Sequence, residues 1–187
     1  MIHRRKSIRL QGYDYSQEGC YFITICTKNR DPVFGSILEG VMRLSNFGII
    51  VAETWHDLEN HNPDIQLDEF VIMPNHVHGI IQIYERKHSA LVGAGSKPAP
   101  DSKSILERAG HGPAPTESKN VSLPEIVRQF KTYSAKRINE MRGTRGVPVW
   151  QRNYYDRIIG TTQEYENAAR YIFDNPMNWE NDEENIF

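Results

Sequence analysis

Apolar and polar residues follow two different periods along the chain, and each period predicts one type of secondary structure. Four segments rich in β-branched and aromatic residues predict strands. Three segments that place apolar side chains three and four residues apart predict amphipathic helices. The strands are predicted at 20–27, 67–73, 76–83 and 154–159, and the helices at 45–60, at 122–141 and from 161 to near Pro176.

Two sequence signals indicate where the later helices begin. Ser122 to Glu125 and Thr161 to Glu164 both have the spacing of a capping box. The resulting order is β-α-β-β-α-β followed by one extra helix. This is the arrangement of a ferredoxin-like α+β domain, in which two crossover helices accompany an antiparallel four-stranded sheet. We expect the last helix to lie near that sheet.

Length and composition fit one domain that spans residues 1–187. The 187 residues are 39% hydrophobic, which is enough for a proper core. Residues from about 85 to 120 are rich in Gly, Pro and Ala, and we interpret them as a flexible insertion. The chain contains no apolar run of membrane length and no apolar segment after its first residues, so a cytoplasmic protein with no membrane partner is expected.

The formal net charge of −2 conceals an uneven distribution of charges. A basic N-terminal arm, residues 1–12, contrasts with an acidic C-terminal tail, residues 180–187. A near-neutral total can therefore include a basic face that binds nucleic acid. The alternative for the arm is a frayed and solvated terminus. The basic residues of the arm are Arg4, Arg5, Lys6 and Arg9.

Two histidines begin the third predicted strand. In a strand, side chains at i and i+2 leave the same face, so His76 and His78 point together and Val77 points to the opposite layer. Two imidazoles side by side form half of a metal site. The alternative is an alternating strand whose outward residues are histidine without further role.

On the last predicted helix, Tyr171 and Asn175 are one turn apart, so a phenol and an amide oxygen could address one site. The alternative is an aromatic residue at the edge of the core and a polar residue at the end of a helix. Tyr133, Tyr154 and Tyr155 compete for a chemical role, but none of them is followed by an amide one turn later, as Tyr171 is.

The combination of these motifs resembles the HUH-superfamily single-tyrosine transposases, and more closely the branch of REP-associated tyrosine transposases. The resemblance covers nearly the whole chain outside the insertion. One departure is Gly160, where the resemblance leads us to expect a basic residue. The segments that carry it are 5–10, 13–15, 21–26, 71–79 with the sequence VIMPNHVHG, 150–151, 154–159 with the sequence YYDRII, and 171–179.

The resemblance implies that His76 and His78 bind a divalent cation, Mg²⁺ or Mn²⁺, with Asn175 as a further oxygen ligand. It implies that Tyr171 is the nucleophile in cleavage and strand transfer of single-stranded, hairpin-bearing DNA. Because a phenol has a pKa near 10, a nearby cation would favour the reactive phenolate. Attack on a phosphodiester would leave a covalent phosphotyrosine on one DNA end and a free hydroxyl on the other.

Further basic residues are candidates for contacts with DNA phosphates. Trp150 could stack on an unpaired base or belong to the core. Two other functions stay open, a domesticated hairpin-DNA-binding protein without turnover and a ferredoxin-like RNA-binding module. Both a homodimer and a monomer are compatible with the sequence. The candidates outside the arm are Lys131, Arg137, Arg152 and Arg157.

Overall fold

A four-stranded antiparallel sheet with helices on both faces forms the centre of the computed structural model, which confirms the predicted α+β class. The structure describes residues 10, 12–85, 121–182, 184 and 185. The strands are β1 Gly19–Cys26, β2 Gly35–Leu38, β3 Val41–Leu44, β4 Ile65–Ile72, β5 His76–Ile83 and β6 Tyr155–Ile159. The helices are α1 Asn46–His56, α2 Leu58–His61, α3 Leu123–Met141 and α4 Thr162–Asp174, with short 3-10 helices at Lys28–Arg30 and Asn175–Asn181.

The strands of the central sheet lie in the spatial order β4-β5-β1-β6. Strand β5 is therefore an inner strand, with β4 on one side and β1 on the other. In the register of β1 and β5, Thr24 is opposite His78 and Cys26 is opposite His76. The register brings polar side chains of β1 beside both histidines.

The two faces of the sheet carry different layers. Residues of β1 that include Tyr21, Ile23 and Ile25 pack into the main core beneath α1 and α3. The opposite face, with Phe22 among its residues, packs against α4 in a smaller cluster centred on Ile80, Ile159 and Ile172. Both histidines of β5 lie on this second face, since Val77 belongs to the main core.

Glycine is required at position 79 because an aromatic ring lies directly against the strand. A Cβ atom there would lie 2.5 Å from the ring of Trp55. That ring is stacked on Phe70, with 4.3 Å between the ring centroids. The close approach of α1 to the sheet thus depends on the missing side chain of Gly79.

The structure differs from the sequence predictions in three places. It adds a hairpin of β2 and β3 between the first strand and the first helix. The helix predicted at 45–60 divides into α1 and α2 at Asp57. Ser122 begins α3 without a side-chain capping bond, because the Glu125 amide donates to the main-chain oxygen of Ser122 at 2.9 Å and the Glu125 carboxylate binds Arg128, so that capping box was wrong. Thr161 does cap α4, accepting a hydrogen bond from the Glu164 amide at 3.2 Å.

Three predicted features lie wholly or partly outside the described residues. These are the basic arm, nearly all of the insertion at 85–120 and the last residues of the acidic tail. Within the described ranges, no helix is both long enough and apolar enough to span a membrane.

Candidate metal and tyrosine site

The two histidines of β5 meet at their Nε2 atoms, which are 2.9 Å apart. Their side chains point together because they are two residues apart in a strand. Both are almost fully buried, with His76 0% and His78 2% exposed. The predicted juxtaposition of the two imidazoles is therefore confirmed.

A buried amide fixes the orientation of His76. Asn75 donates through Nδ2 to the main-chain oxygen of Glu184 at 2.8 Å, so its own Oδ1 faces the imidazole. Nδ1 of His76 lies 2.8 Å from that oxygen and must carry the hydrogen. In the neutral ring the lone pair is then on Nε2, directed toward His78. Such a hydrogen bond from the second nitrogen is typical of metal-binding histidines.

His78 is held from the neighbouring strand. Its Nδ1 lies 2.8 Å from the hydroxyl of Thr24, which can either donate or accept a hydrogen. Without metal, Nε2 of His78 donates to Nε2 of His76, because the latter presents its lone pair. A single proton therefore lies between the two rings.

The electrostatic environment keeps both imidazoles neutral. Burial, with a smaller contribution from the Arg30 charge, lowers the pKa of His76 to about 3. Burial and the neighbouring His76 lower the pKa of His78 to about 3, while the Asp182 carboxylate opposes the shift. Neutral imidazoles are the form that binds metal ions.

Two oxygen-bearing side chains complete the group. The ligand atoms of His76, His78 and Asp182 all lie within 4.8 Å of one another. Asn175 is 2% exposed and donates through Nδ2 to Asp182 at 2.8 Å. Its Oδ1 is buried and accepts no hydrogen bond from the described residues. A buried oxygen without a donor is costly, and a cation would satisfy it.

These residues fit a divalent cation. Neutral imidazoles and carboxylate or amide oxygens are donors that divalent cations accept. The observed distance between the two Nε2 atoms is 2.9 Å. A cation in place of the shared proton would be bound by both lone pairs. The group of His76, His78 and Asp182 could therefore hold a metal ion.

Tyr171 lies beside the imidazole pair, on α4. Its hydroxyl is 3.5 Å from Nε2 of His78, and its ring packs edge-on against His78 at a centroid distance of 5.1 Å. The side chain is 47% exposed, so a substrate can reach it. Helix α4 is attached to the sheet by buried Ile172 and by a 2.6 Å hydrogen bond from the Tyr165 hydroxyl to Asp68.

An open cleft of about 1150 Å³ extends from this site, between β1 and β6 on one side and α4 and the C-terminal segment on the other. Arginines, amides, four carboxylates and an exposed tyrosine are among the side chains that line it. Its arginines are Arg30, Arg157 and Arg170, its amides include Gln151, Asn153, Asn167, Asn178 and Asn181, and Tyr155 adds an aromatic ring. Such a lining can contact both phosphates and bases.

The predicted DNA-contacting residues are distributed over several regions. Arg157 lines the cleft and pairs with Glu164 at 3.1 Å. Lys131 donates to the main-chain oxygens of Gln151 and Arg152, so it tethers the exposed loop before β6. Arg137 lies in the other layer, paired with Glu53 of α1, and the structure does not bring it to the cleft. The candidates Arg4, Arg5, Lys6 and Arg9 lie outside the described residues.

The aromatic residues considered for a chemical or base-stacking role differ in how deeply they are buried. Trp150 is buried and donates to Ser134 at 2.9 Å, so the core alternative is correct for it. Tyr154 is also buried, whereas Tyr133 and Tyr155 are exposed. Among these tyrosines and Tyr171, a hydroxyl contact with the histidine pair is observed for Tyr171.

Sequence reasoning missed several residues of the site. The sequence indicates Asp182 and Glu184 only as part of an acidic tail. They follow the 3-10 helix at Asn175–Asn181, and the Glu184 carboxylate accepts a hydrogen bond from Cys26 of β1. Arg170 precedes Tyr171 directly, and this adjacency was the one available signal. Arg30 offered no signal beyond its charge.

Comparison with known proteins finds a relative by sequence and a solved structure with a similar fold. An uncharacterized protein of Haemophilus influenzae is 40% identical over 185 residues, which are 97% of this chain and 93% of the relative. No known family profile matches the chain. A solved structure of a REP-associated tyrosine transposase bound to a REP hairpin aligns with a TM-score of 0.54 and 14% identity, covering 91% of this chain and 73% of that one. At that identity the likeness shows a shared fold alone.

Proposed function

Because the chain belongs to the same family as the uncharacterized Haemophilus influenzae protein, whose name gives no activity, we propose a function from the site itself. The protein is a metal-dependent endonuclease and strand transferase of the HUH type that acts on single-stranded hairpin DNA. The observation that carries this proposal is the 3.5 Å distance between the Tyr171 hydroxyl and Nε2 of His78. It joins a nucleophile on one element to a candidate metal site on another.

Tyr171 is the proposed nucleophile. Its oxygen attacks the phosphorus of a phosphodiester, one P–O bond forms, and the bond to the leaving oxygen breaks. The phenol loses its proton and the leaving oxygen takes one up, so the number of protons is unchanged. The phosphotyrosine preserves the energy of the ester, and a free DNA hydroxyl can reverse the reaction at another strand without ATP.

The proposed metal ligands are His76, His78 and Asn175. The structure suggests Asp182 as a fourth. A bound divalent cation, Mg²⁺ or Mn²⁺, would stabilise the negative charge that develops on the phosphate and would favour the phenolate. The amide of Asn75 keeps the lone pair of His76 on Nε2. The donor-free Oδ1 of Asn175 supports its role as an oxygen ligand.

A hairpin-bearing DNA strand is the proposed substrate. The solved transposase that shares this fold is bound to a REP hairpin. The strand order β4-β5-β1-β6 supports a ferredoxin-like domain with the tyrosine helix on one face. The arginines and amides of the cleft support contacts with phosphates and unpaired bases. The basic arm, Lys131 and Arg152 are proposed as further contacts with DNA phosphates. We propose that the chain forms one domain and acts in the cytoplasm.

The proposal is tested with wild-type protein and a labelled single-stranded DNA hairpin. The protein is incubated with Mn²⁺, with Mg²⁺ or with EDTA, and the mixture is separated on a denaturing gel. We expect a covalent protein–DNA adduct with metal and none with EDTA. An equal amount of adduct in EDTA would refute the proposed metal dependence. Hairpin binding without adduct under every condition would favour the rival function, a DNA-binding protein without turnover.

A further inference from the structure

The imidazole ring of His78 is held in place by contacts on several sides. Its face stacks on Phe22 with 5.4 Å between the ring centroids, and the Tyr171 ring packs edge-on against it at 5.1 Å. Its two nitrogens contact different groups. Nδ1 lies 2.8 Å from the Thr24 hydroxyl, and Nε2 lies 2.9 Å from Nε2 of His76. Because the ring cannot turn without losing these contacts, a change at His78 must be a change in which nitrogen carries the hydrogen.

When no metal ion is bound, the hydrogen bonds fix the position of that hydrogen. A neutral imidazole carries one N–H hydrogen and one lone pair. The Asn75 amide keeps the hydrogen of His76 on Nδ1, so Nε2 of His76 is an acceptor. Nε2 of His78 must then be the donor across the 2.9 Å contact. The lone pair of His78 is therefore on Nδ1, and the Thr24 hydroxyl donates to it.

A divalent cation between the two rings requires the opposite arrangement at His78. Imidazole binds a metal ion through a nitrogen lone pair, so Nε2 of His78 must lose its hydrogen. In a ring that stays neutral, Nε2 gives one proton to solvent and Nδ1 takes one up, so the number of protons on the ring is unchanged. His76 needs no such change, because Asn75 already holds its hydrogen on Nδ1.

The Thr24 side chain can serve both arrangements, because a hydroxyl can donate and accept a hydrogen bond. The register of β1 and β5 places Thr24 opposite His78, and its side chain is only 7% exposed. A methyl group at this position would leave the buried Nδ1 without a partner in either tautomer. The loss would be larger in the metal-bound protein, because the Nδ1–H group of a metal-bound imidazole is the more strongly polarised donor.

We propose that Thr24 is a positioning residue that allows His78 to change its tautomer when a divalent cation binds. The Thr24 hydroxyl donates to Nδ1 of His78 before the ion binds and accepts from Nδ1 afterwards. The inference rests on the proposed function, since it concerns the same metal site. The two histidines are thereby distinguished, because Asn75 holds His76 in the metal-binding tautomer at all times and His78 reaches that tautomer through Thr24.

Nitrogen NMR of ¹⁵N-labelled wild-type protein tests the change of tautomer directly, because protonated and unprotonated ring nitrogens resonate in separate ranges. In EDTA, His78 should show a protonated Nε2 and an unprotonated Nδ1, whereas His76 should show a protonated Nδ1. With saturating Mg²⁺, which is diamagnetic, the hydrogen of His78 should be on Nδ1 and that of His76 should stay on Nδ1. A hydrogen on Nδ1 of His78 already in EDTA would overturn the inference.

Variants of Thr24 test its contribution to metal affinity by calorimetric titration with Mn²⁺. Thr24→Val should raise the Kd for Mn²⁺ about tenfold, as is typical when a partner of a metal-binding histidine is lost. Thr24→Ser keeps the hydroxyl and should bind Mn²⁺ as the wild type does. Thr54→Val is the matched control, because it removes a buried hydroxyl from the other layer, where Thr54 donates to the main-chain oxygen of Ile50 at 2.7 Å. Its Kd for Mn²⁺ should equal that of wild type.

Equal Mn²⁺ affinity of wild type and Thr24→Val would overturn the inference, and so would equal losses of affinity in Thr24→Val and Thr54→Val. If Thr24→Val does not fold, the NMR measurement on wild-type protein decides alone. Failure of the wild type to bind Mg²⁺ or Mn²⁺ would refute the proposed metal site and this inference with it. Binding of Mg²⁺ without a change of tautomer at His78 would overturn the inference alone, so the two failures are distinguishable.

Discussion

The buried histidine pair should make the metal-free protein lose stability as the pH falls from about 7 to about 5. The pKa values of His76 and His78 are lowered to about 3 in the folded state. In an unfolded chain, histidine titrates near 6.5. Between these values the unfolded state binds more protons, so the free energy of unfolding decreases as the pH falls below about 6.5.

The magnitude follows from the width of this window. At pH 5, an unfolded histidine is about 1.5 pH units below its pKa, and each unit corresponds to about 1.36 kcal/mol. One histidine therefore contributes a loss of about 2 kcal/mol, and the pair about 4 kcal/mol. Solvent screening does not reduce this loss, because His76 and His78 are only 0% and 2% exposed.

Urea unfolding in EDTA at the two pH values measures this loss. The wild type is compared with a His76→Gln, His78→Gln double variant, in which the carboxylates titrate as before but the pair does not. The wild type should lose about 4 kcal/mol more than the double variant. His56→Gln, an exposed change on α1, should lose as much as the wild type. Equal losses in wild type and double variant would refute the reasoning.

Three further predictions concern metal, anchoring and packing. Mn²⁺ at about one hundred times its Kd should raise the free energy of unfolding of the wild type by about 2.7 kcal/mol in urea. His78→Ala should abolish this stabilisation. Stabilisation that persists in His78→Ala would show that the ion binds elsewhere. Tyr165→Phe should lower the free energy of unfolding by about 1–2 kcal/mol and slow adduct formation, because it removes the 2.6 Å hydrogen bond to Asp68 that anchors α4. An unchanged rate of adduct formation would contradict that role. Gly79→Ala should destabilise the fold by about 1–3 kcal/mol in the same assay, because its Cβ would lie 2.5 Å from the Trp55 ring, and an unchanged urea midpoint would contradict this packing.

The parts of the site that were predictable depend on local geometry. The side-chain period of a strand places His76 and His78 on one face whatever the rest of the fold is, and their Nε2 atoms lie 2.9 Å apart. The helical period places Tyr171 one turn before Asn175 in the same way. The four strands of the sheet were predictable because β-branched and aromatic residues mark them. The chemical roles of these residues stay predictions.

The parts that were missed depend on contacts between distant segments, on a competing local contact or on side chains that are not buried. Glu184 contacts Cys26 across 158 sequence positions, and no local pattern encodes such a pairing. Ser122 has the spacing of a capping box, but Glu125 forms an ion pair with Arg128 instead. The hairpin of β2 and β3 has mostly exposed or half-exposed side chains, so its apolar alternation is weak. In each case a competing contact, or the lack of burial, removes the signal.

The central claim, that Tyr171 is the nucleophile of a DNA strand-transfer enzyme, is tested most directly by adduct formation. Wild-type, Tyr171→Phe and Tyr155→Phe proteins are incubated with labelled hairpin DNA and Mn²⁺ and separated on a denaturing gel. Tyr155 is the matched control because it is also an exposed tyrosine that lines the cleft. The proposal predicts a covalent adduct for wild type and Tyr155→Phe, and none for Tyr171→Phe, which should still bind the hairpin. An undiminished adduct with Tyr171→Phe would contradict it.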